Sequence, residues 1–124
     1  MQIDMGSVVT VPGVVTQGRT DCCDQWVTKY TVRTSIDGKA WADVGTFSGN
    51  TDRNTKVQSM FAKQTQARYV RFVPTQWRNA ISMRAAVLTC GSFYVPPSSL
   101  PRACHFLFTP LCTMLSSALR LRTR

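Results

Sequence analysis

The segment from Arg19 to Gln25 concentrates polar side chains that could hold a ligand. Arg19 offers a planar set of N–H donors suited to a sugar hydroxyl, a carboxylate or a phosphate. Asp21 and Asp24 supply acceptors for sugar hydroxyls or a cationic group, and Thr20 and Gln25 are neutral hydrogen-bonding residues. Together these residue types favour a polar ligand.

Each of these residues also has a purely structural interpretation. Asp21 and Asp24 are turn formers that can bond their own backbone. Arg19 could do no more than pair with one of them, a contact worth under about 1 kcal/mol when exposed. Trp26 follows the segment, and its parity with Tyr30 favours the core over a ligand platform.

The cysteines allow several arrangements. The chain has five of them, Cys22, Cys23, Cys90, Cys104 and Cys112. Since the count is odd, at least one is unpaired or bonded outside the chain. Cys22 and Cys23 are adjacent and could form a bond with each other that makes a rigid apolar tip, remain free thiols, or pair with another chain. Adjacent cysteines cannot easily face one tetrahedral ion, and His105 alone could complete a zinc site, so we predict no metal and no other cofactor.

Catalysis has little support in the residue types present. His105 is the single histidine and lies in the C-terminal segment, so no Ser–His or Cys–His pair can form within the preceding domain. All six acidic residues are Asp, and nothing marks two of them as a catalytic pair. Asn50, Asp52 and Asn54 alternate as in a calcium loop, but the downstream Glu is missing and these are ordinary turn residues. We predict a protein that is not an enzyme.

The charge balance does not indicate a nucleic-acid partner. Fifteen Lys and Arg against six Asp and Glu give a formal net charge of +9. Several basic residues of positions 1–90, such as Arg33, Arg71 and Arg84, stand singly within alternating stretches, and there is no basic run, zinc-finger spacing or RNA-binding signature. The hydrophobic share of 44% and the length of 124 residues fit one globular domain.

The hydrophobic pattern predicts β-strands almost throughout. Apolar and polar residues alternate from Trp26 to Ile36, and the pair Asp37-Gly38 predicts a hairpin turn before the chain resumes at Trp41. Pro12 cannot donate to a ladder, which predicts a sheet edge or a bulge. Further strands are predicted at Gln2–Met5, Val8–Gln17, Val57–Phe61, Arg68–Val73 and Ser82–Cys90. Short strands separated by turns predict a β-sandwich or barrel.

Composition changes after Cys90, where several Pro and Ser residues follow. We therefore predict a domain at residues 1–90 and a basic, poorly ordered or non-native tail at residues 91–124. The uncharged stretch Ala103–Leu119 allows a membrane anchor as a less favoured alternative, because Pro110 interrupts it. Met1 to Gly6 lacks the features of a secretory signal, so the chain is either cytosolic or has lost an upstream part.

Seven short blocks now point to a known family. They are Ile3-Asp4-Met5-Gly6, Val14-Val15-Thr16-Gln17-Gly18-Arg19, Gln25-Trp26-Val27-Thr28-Lys29-Tyr30, Ser35-Ile36-Asp37-Gly38 with Trp41, Phe47-Ser48-Gly49-Asn50-Thr51-Asp52-Arg53-Asn54, Ala67-Arg68-Tyr69-Val70-Arg71, and Ile81-Ser82-Met83-Arg84 leading to Cys90. In this order they resemble the discoidin family, also known as the coagulation factor V/VIII type C domain. The resemblance implies an all-β, jelly-roll-like β-sandwich of the galactose-binding-like class, with its N-terminal strands missing.

The resemblance also implies where and what the domain binds. Loops at one end of the family's sandwich contact galactose-type sugars, anionic phospholipids, collagen or protein termini, and the segment Arg19 to Gln25 is similar to one such loop. Its ligand-binding residues would be Arg19, Thr20, Asp21, Asp24, Gln25 and Trp26. The missing part would supply the other two loops and a cysteine that pairs with Cys90.

From this we expect an extracellular or cell-surface recognition module within a longer protein. A carbohydrate or protein ligand is favoured over anionic phospholipid, because the loop tip has only Cys22 and Cys23 as apolar residues and carries two carboxylates. The alternatives are a phospholipid-binding module, or a truncated structural fragment that retains no binding activity.

Overall fold

The computed structural model describes residues 1–90 in full and, beyond them, the backbone of residues 112–116 and 121–122. Regular structure in this described part is entirely β and antiparallel, in a sheet of order β3-β2-β4-β1-β5-β6 with β7 beside β5. The strands are β1 Gln2–Gln17, β2 Trp26–Ser35, β3 Ala42–Ser48, β4 Val57–Arg78, β5 Ser82–Cys90, β6 Cys112–Ser116 and β7 Leu121–Arg122. Among the described residues there is no helix with the length and apolar character needed to span a membrane.

The hairpin predicted at Asp37-Gly38 is confirmed and joins β2 to β3. Tyr30 and Val32 of β2 are fully buried, while Thr31 between them is only partly buried and lies on the opposite face of the strand. The Asp37 carboxylate accepts backbone hydrogen bonds from Lys39 at 2.8 Å and Ala40 at 3.0 Å, and Gly38 has a φ of 81°. These bonds hold the turn, because an Asp side chain can replace a backbone acceptor there.

The two N-terminal strands that were predicted separately form one strand, β1. Its register against β4 shifts between Asp4 and Val9 and again between Val11 and Gly13. The second shift brackets Pro12 and confirms the predicted bulge. β1 has β4 on one side, but its described pairing with β5 on the other side runs only from Gly13 to Gln17, so Pro12 lies just outside the part of β1 that is interior to the sheet.

β4 also joins two strands that the sequence pattern separated. It pairs with β1 from Val57 to Arg71 and with β2 from Tyr69 to Arg78. Residues 62–64 and 66, between the two predicted strands, are exposed, so the alternation of buried and exposed positions is interrupted there. A local pattern cannot show that one strand passes from one layer of the fold to the other.

The sheet encloses a core between two layers. The ring centres of Phe47 in β3 and Phe61 in the first half of β4 are 5.7 Å apart. β3 pairs with β2 and not with this half of β4, so the two rings meet across the core. The Tyr30 hydroxyl crosses the same interior to donate to Ser59 at 3.0 Å. The core members are Ile3, Val11, Val14, Val27, Tyr30, Val32, Phe61, Ala67, Val70, Phe72, Met83, Ala85 and Val87. Burial of each large apolar side chain stabilises the fold by about 1.5–3 kcal/mol. The two layers packed around this core form the predicted all-β sandwich.

The C-terminal segment can be described only in part. The stretch Ala103–Leu119 and the tail predicted at residues 91–124 lie outside the described residues, apart from the backbone of β6 and β7. β6 pairs with β5 so that Cys112 lies opposite Cys90 in the ladder. Cys90 is buried and disulfide-bonded.

Three connections meet at one end of the sandwich. Gln17 at the end of β1 pairs with Arg84 near the start of β5, and Trp26 at the start of β2 pairs with Arg78 at the end of β4. The start of β4 lies beside Thr16. The connections 18–25, 49–56 and 79–81 are therefore neighbours, and we call this set of loops the loop end.

Candidate functional site

The loop predicted to bind ligand is a short closed turn. The backbone N–H of Arg19 donates to the carbonyl of Gln25 at 3.1 Å, and the N–H of Gln25 donates to the carbonyl of Cys23 at 2.8 Å. Cys22 and Cys23 form a disulfide with each other, the first of the arrangements that the sequence left open. Cys23 has a φ of 56°, in the left-handed region. The tip is thus closed both covalently and by hydrogen bonds.

Arg19 is held in place by its own loop. Its Nε donates to Asp21 Oδ1 at 2.7 Å and its Nη1 donates to Gln25 Oε1 at 3.1 Å. The Arg19 side chain is 25% exposed and that of Asp21 is 40% exposed. A guanidinium carries more N–H groups than these two bonds use, and the remaining Arg19 side-chain donors form no hydrogen bond with the described residues.

Asp24 connects the loop to its two neighbours. Its backbone carbonyl accepts from Asn79 Nδ2 at 2.7 Å, and its carboxylate lies 3.6 Å from Arg53 Nε. Asn79 has a φ of 61°, a conformation that Asn tolerates better than most residues. Sequence reasoning missed Arg53 and Asn79, because they belong to the other two loops and Asn79 is separated from Asp24 by 55 positions.

Arg84 binds the base of the loop end together. Its Nε donates to the carbonyl of Gly18 at 2.9 Å and its Nη2 to Asn54 Oδ1 at 3.2 Å. Gln17 Nε2 donates to the carbonyl of Asn54 at 2.7 Å. The loops approach so closely that a Cβ on Gly18 would lie 2.6 Å from the carbonyl oxygen of Asp52. A substitution at Gly18 would therefore force these loops apart.

Asn50 supports the same loops from inside. It is 1% exposed, and its Nδ2 donates to the carbonyls of Thr16 and Thr55, each at 3.0 Å. Its Oδ1 is buried without a hydrogen-bond partner among the described residues. The amide thus links the end of β1 to the connection that leads into β4.

Asp52 acts as a turn residue in the described geometry. Its carboxylate accepts from the Thr55 hydroxyl and from the backbone N–H groups of Thr55 and Asn54, which hold the pKa of Asp52 below its ordinary value. In the part of the chain that the structure describes, no three His, Cys, Asp or Glu residues come together as a metal site. The alternation of Asn and Asp in this segment is explained by turn formation.

Two predicted residues differ in their access to a ligand. Thr20 is exposed at the loop. Trp26 is only 9% exposed, and the Arg78 guanidinium lies 5.3 Å from the centre of its ring. Trp26 therefore lies at the edge of the core. Its parity with Tyr30 does not account for this burial, because register shifts on both sides of Lys29 interrupt the alternation, and Val27, of the other parity, is fully buried in the core. Trp77, which the sequence analysis did not single out, is 47% exposed near the end of β4 and lies opposite Val27 in the β2–β4 ladder.

The all-β antiparallel sandwich is the galactose-binding-like fold of the discoidin structures that this chain matches. The sequence model of the F5/8 type C domain family matches residues 1–87, so the chain belongs to this family. The resemblance described above is therefore confirmed.

Individual relatives agree with this assignment. The chain is 39% identical to lactadherin of Rattus norvegicus over 97 residues. This alignment covers 73% of this chain and 23% of that protein. It is 36% identical over 98 residues to retinoschisin of Takifugu rubripes, covering 73% of this chain and 35% of that protein. The structure of discoidin II of Dictyostelium discoideum matches with a TM-score of 0.70 at 29% identity, over 77% of this chain and 39% of that one. The chain thus spans well under half the length of these relatives.

Proposed function

We propose that the chain is a non-catalytic, extracellular recognition module that binds a carbohydrate or a protein ligand through its loop end. The observation that carries the proposal is the state of Arg19, whose guanidinium is fixed by Asp21 and Gln25 while retaining unused donors. Membership in the F5/8 type C family supports a binding role for loops at one end of the sandwich.

The arrangement suits a ligand with hydroxyl or carboxylate groups. A fixed guanidinium loses little conformational entropy when it binds, so more of each hydrogen bond contributes to affinity. Thr20 adds an exposed hydroxyl, and the carboxylates of Asp21 and Asp24 add acceptors for ligand hydroxyls or a ligand ammonium group. The hydrogen bonds from Asn79 and Arg84 position the loop on the rigid sandwich.

Anionic phospholipid is a less favoured ligand. Insertion into a membrane surface requires large apolar side chains at the tip, and the loop presents the Cys22–Cys23 disulfide instead. Asp21 and Asp24 are both exposed beside it and would be repelled by anionic headgroups.

Glycan-array and liposome-binding measurements test the proposal with matched variants. Arg19→Ala should weaken binding of a retained ligand about tenfold or more, because it removes charge-assisted hydrogen bonds. Arg19→Lys should restore only part of the affinity, since an ammonium cannot be held by Asp21 and Gln25 as a planar fork. Arg68→Ala is the control, because Arg68 forms a similar exposed ion pair, with Asp4 at 2.9 Å, away from the loop end.

Folding is checked for every variant by circular dichroism. A folded wild-type chain that retains no glycan, protein or vesicle would show that it is a structural fragment without binding activity. Equal losses in Arg19→Ala and Arg68→Ala would refute the assignment of the site to the loop end. Selective binding to anionic vesicles that Arg19→Ala abolishes would favour the phospholipid alternative.

A further inference from the structure

A second group of basic side chains lies on the outer face of the sandwich, away from the tip of the Arg19 loop. Tyr30 and Val32 of β2 point into the core, so Lys29 and Arg33 lie on the opposite, solvent side of the same strand. Arg71 of β4 is directly opposite Arg33 in the β2–β4 ladder. We call Lys29, Arg33 and Arg71 the basic strip.

The pairing of Arg33 with Arg71 is unfavourable for the fold. Like charges on directly opposed positions of an antiparallel ladder destabilise the sheet. Arg33 is partly neutralised, since its Nε lies 2.6 Å from Asp43 Oδ1. Among the described residues, Arg71 and Lys29 have no ion-pair partner. The strip therefore keeps an excess of positive charge that a bound anion would neutralise.

Arg71 is positioned in advance for such an anion. Its guanidinium lies 3.8 Å from the centre of the Trp41 ring, and its Nη2 donates to Gln2 Oε1 at 3.0 Å. Stacking and this one bond fix the plane of the group, and its other N–H donors form no hydrogen bond within the described part of the chain. Arg33 likewise spends only its Nε on Asp43, so both opposed residues retain donors for oxyanions.

Hydroxyl groups continue the polar surface between the charged positions. Thr31 lies between Lys29 and Arg33 along β2, and its Oγ1 is 2.9 Å from Thr46 Oγ1 across the β2–β3 ladder. Alternate residues along a strand are about 6.6 Å apart. The strip thus presents cationic and hydroxyl groups in a row, which matches a linear polymer with repeated anionic groups.

We propose that the basic strip binds an extended sulfated polysaccharide. This site is separate from the loop end and does not depend on the function proposed for Arg19. A single-stranded nucleic acid fits less well, since its bases need aromatic faces on which to stack. The Trp41 ring is already stacked by Arg71, and Arg68 lies 5.1 Å from the centre of the Tyr69 ring.

Heparin is the probe, and its affinity is measured by calorimetry and by the salt concentration that elutes the full chain from immobilised heparin. The double variant Arg33→Gln/Arg71→Gln should bind at least about tenfold more weakly than the wild type, because it removes charge-assisted hydrogen bonds to sulfate. The slope of log affinity against log salt should also fall by about one for each contact removed.

A control variant separates a site from net charge. Lys56→Gln/Lys63→Gln removes the same formal charge from exposed positions outside the strip and should leave the heparin affinity within about twofold of the wild type. Thr31→Glu places an acid inside the strip while both arginines remain, and it should weaken binding as the arginine double variant does. Thermal unfolding confirms that each variant is folded.

The outcomes divide clearly. Loss in the two strip variants but not in the lysine control or in Arg19→Ala supports the proposal. Equal losses in the arginine and lysine double variants would show attraction to net charge alone and overturn it. It is also overturned if Arg19→Ala abolishes heparin binding while the strip variants retain it, or if a single-stranded DNA of equal charge binds as tightly and depends on the same residues.

Discussion

Removing the buried amide of Asn50 should loosen the loop end and lower the stability of the domain. In Asn50→Ala the carbonyls of Thr16 and Thr55 both lose the Nδ2 donor, which holds them at 3.0 Å. A buried polar group left without a partner costs about 1–3 kcal/mol. The substitution also removes the buried Oδ1, which has no partner among the described residues, and this gain offsets one such cost. The net loss in free energy of unfolding should be about 1–3 kcal/mol.

Asn50→Asp sharpens this prediction through its pH dependence. At neutral pH the substitution sets a buried carboxylate against two carbonyl oxygens, so it should destabilise the domain more than Asn50→Ala does. Burial and the absence of a donor raise the pKa of this carboxylate in the folded state. Its penalty is therefore present at neutral pH and should decrease as the pH falls through that raised pKa, where the protonated acid can donate again.

Urea denaturation at several pH values, combined with thermal unfolding, measures both effects. A loss of 1 kcal/mol corresponds to about 4–8 °C in Tm for a domain of this size. Thr51→Ala serves as the control, because Thr51 is exposed in the same connection and its loss should change stability by about 0.5 kcal/mol or less. The reasoning is refuted if Asn50→Ala is as stable as the control, or if Asn50→Asp is no less stable than Asn50→Ala at neutral pH.

Two further predictions concern the loops. The carboxylate of Asp52 accepts hydrogen bonds from Thr55 and Asn54, which lower its pKa. Its stabilising effect is therefore present above the ordinary pKa of 3.8 and is lost as the pH falls through the lowered pKa. Asp52→Asn should reduce the loss of stability on acidification, as measured by urea denaturation at several pH values. Reduction of the Cys22–Cys23 disulfide should shift amide NMR signals of the loop end and weaken ligand binding, since the tip loses its covalent closure. The variant Cys22→Ser/Cys23→Ser should bind weakly with or without reductant, and full affinity in that variant would contradict the second prediction.

Local sequence features were sufficient for several elements of the fold. The alternation from Trp26 and the pair Asp37-Gly38 predicted a strand and hairpin that the structure contains. Pro12 predicted an irregularity because it lacks an N–H, and the register of β1 shifts there. These signals are encoded by neighbouring residues, so they can be interpreted without knowledge of the fold.

The long strands show where local patterns fail. β4 was predicted as two strands because its exposed middle, around Lys63, interrupts the alternation. Only the pairing with β1 on one half and β2 on the other shows that the chain continues without a turn. The choice of Trp26 between core and ligand platform likewise depended on what covers its ring, and the structure places Arg78 there.

The sequence by itself determined the family, the all-β class and the chemistry of the Arg19 to Gln25 loop. The tertiary structure alone decided which partners that loop has and which surfaces carry charge. Asn79 reaches Asp24 across 55 positions, and Arg33 faces Arg71 only in the register that β2 and β4 adopt. Strand register and the meeting of distant loops at one end arise from packing between segments far apart in the sequence, so they cannot be predicted from a local pattern of residue types.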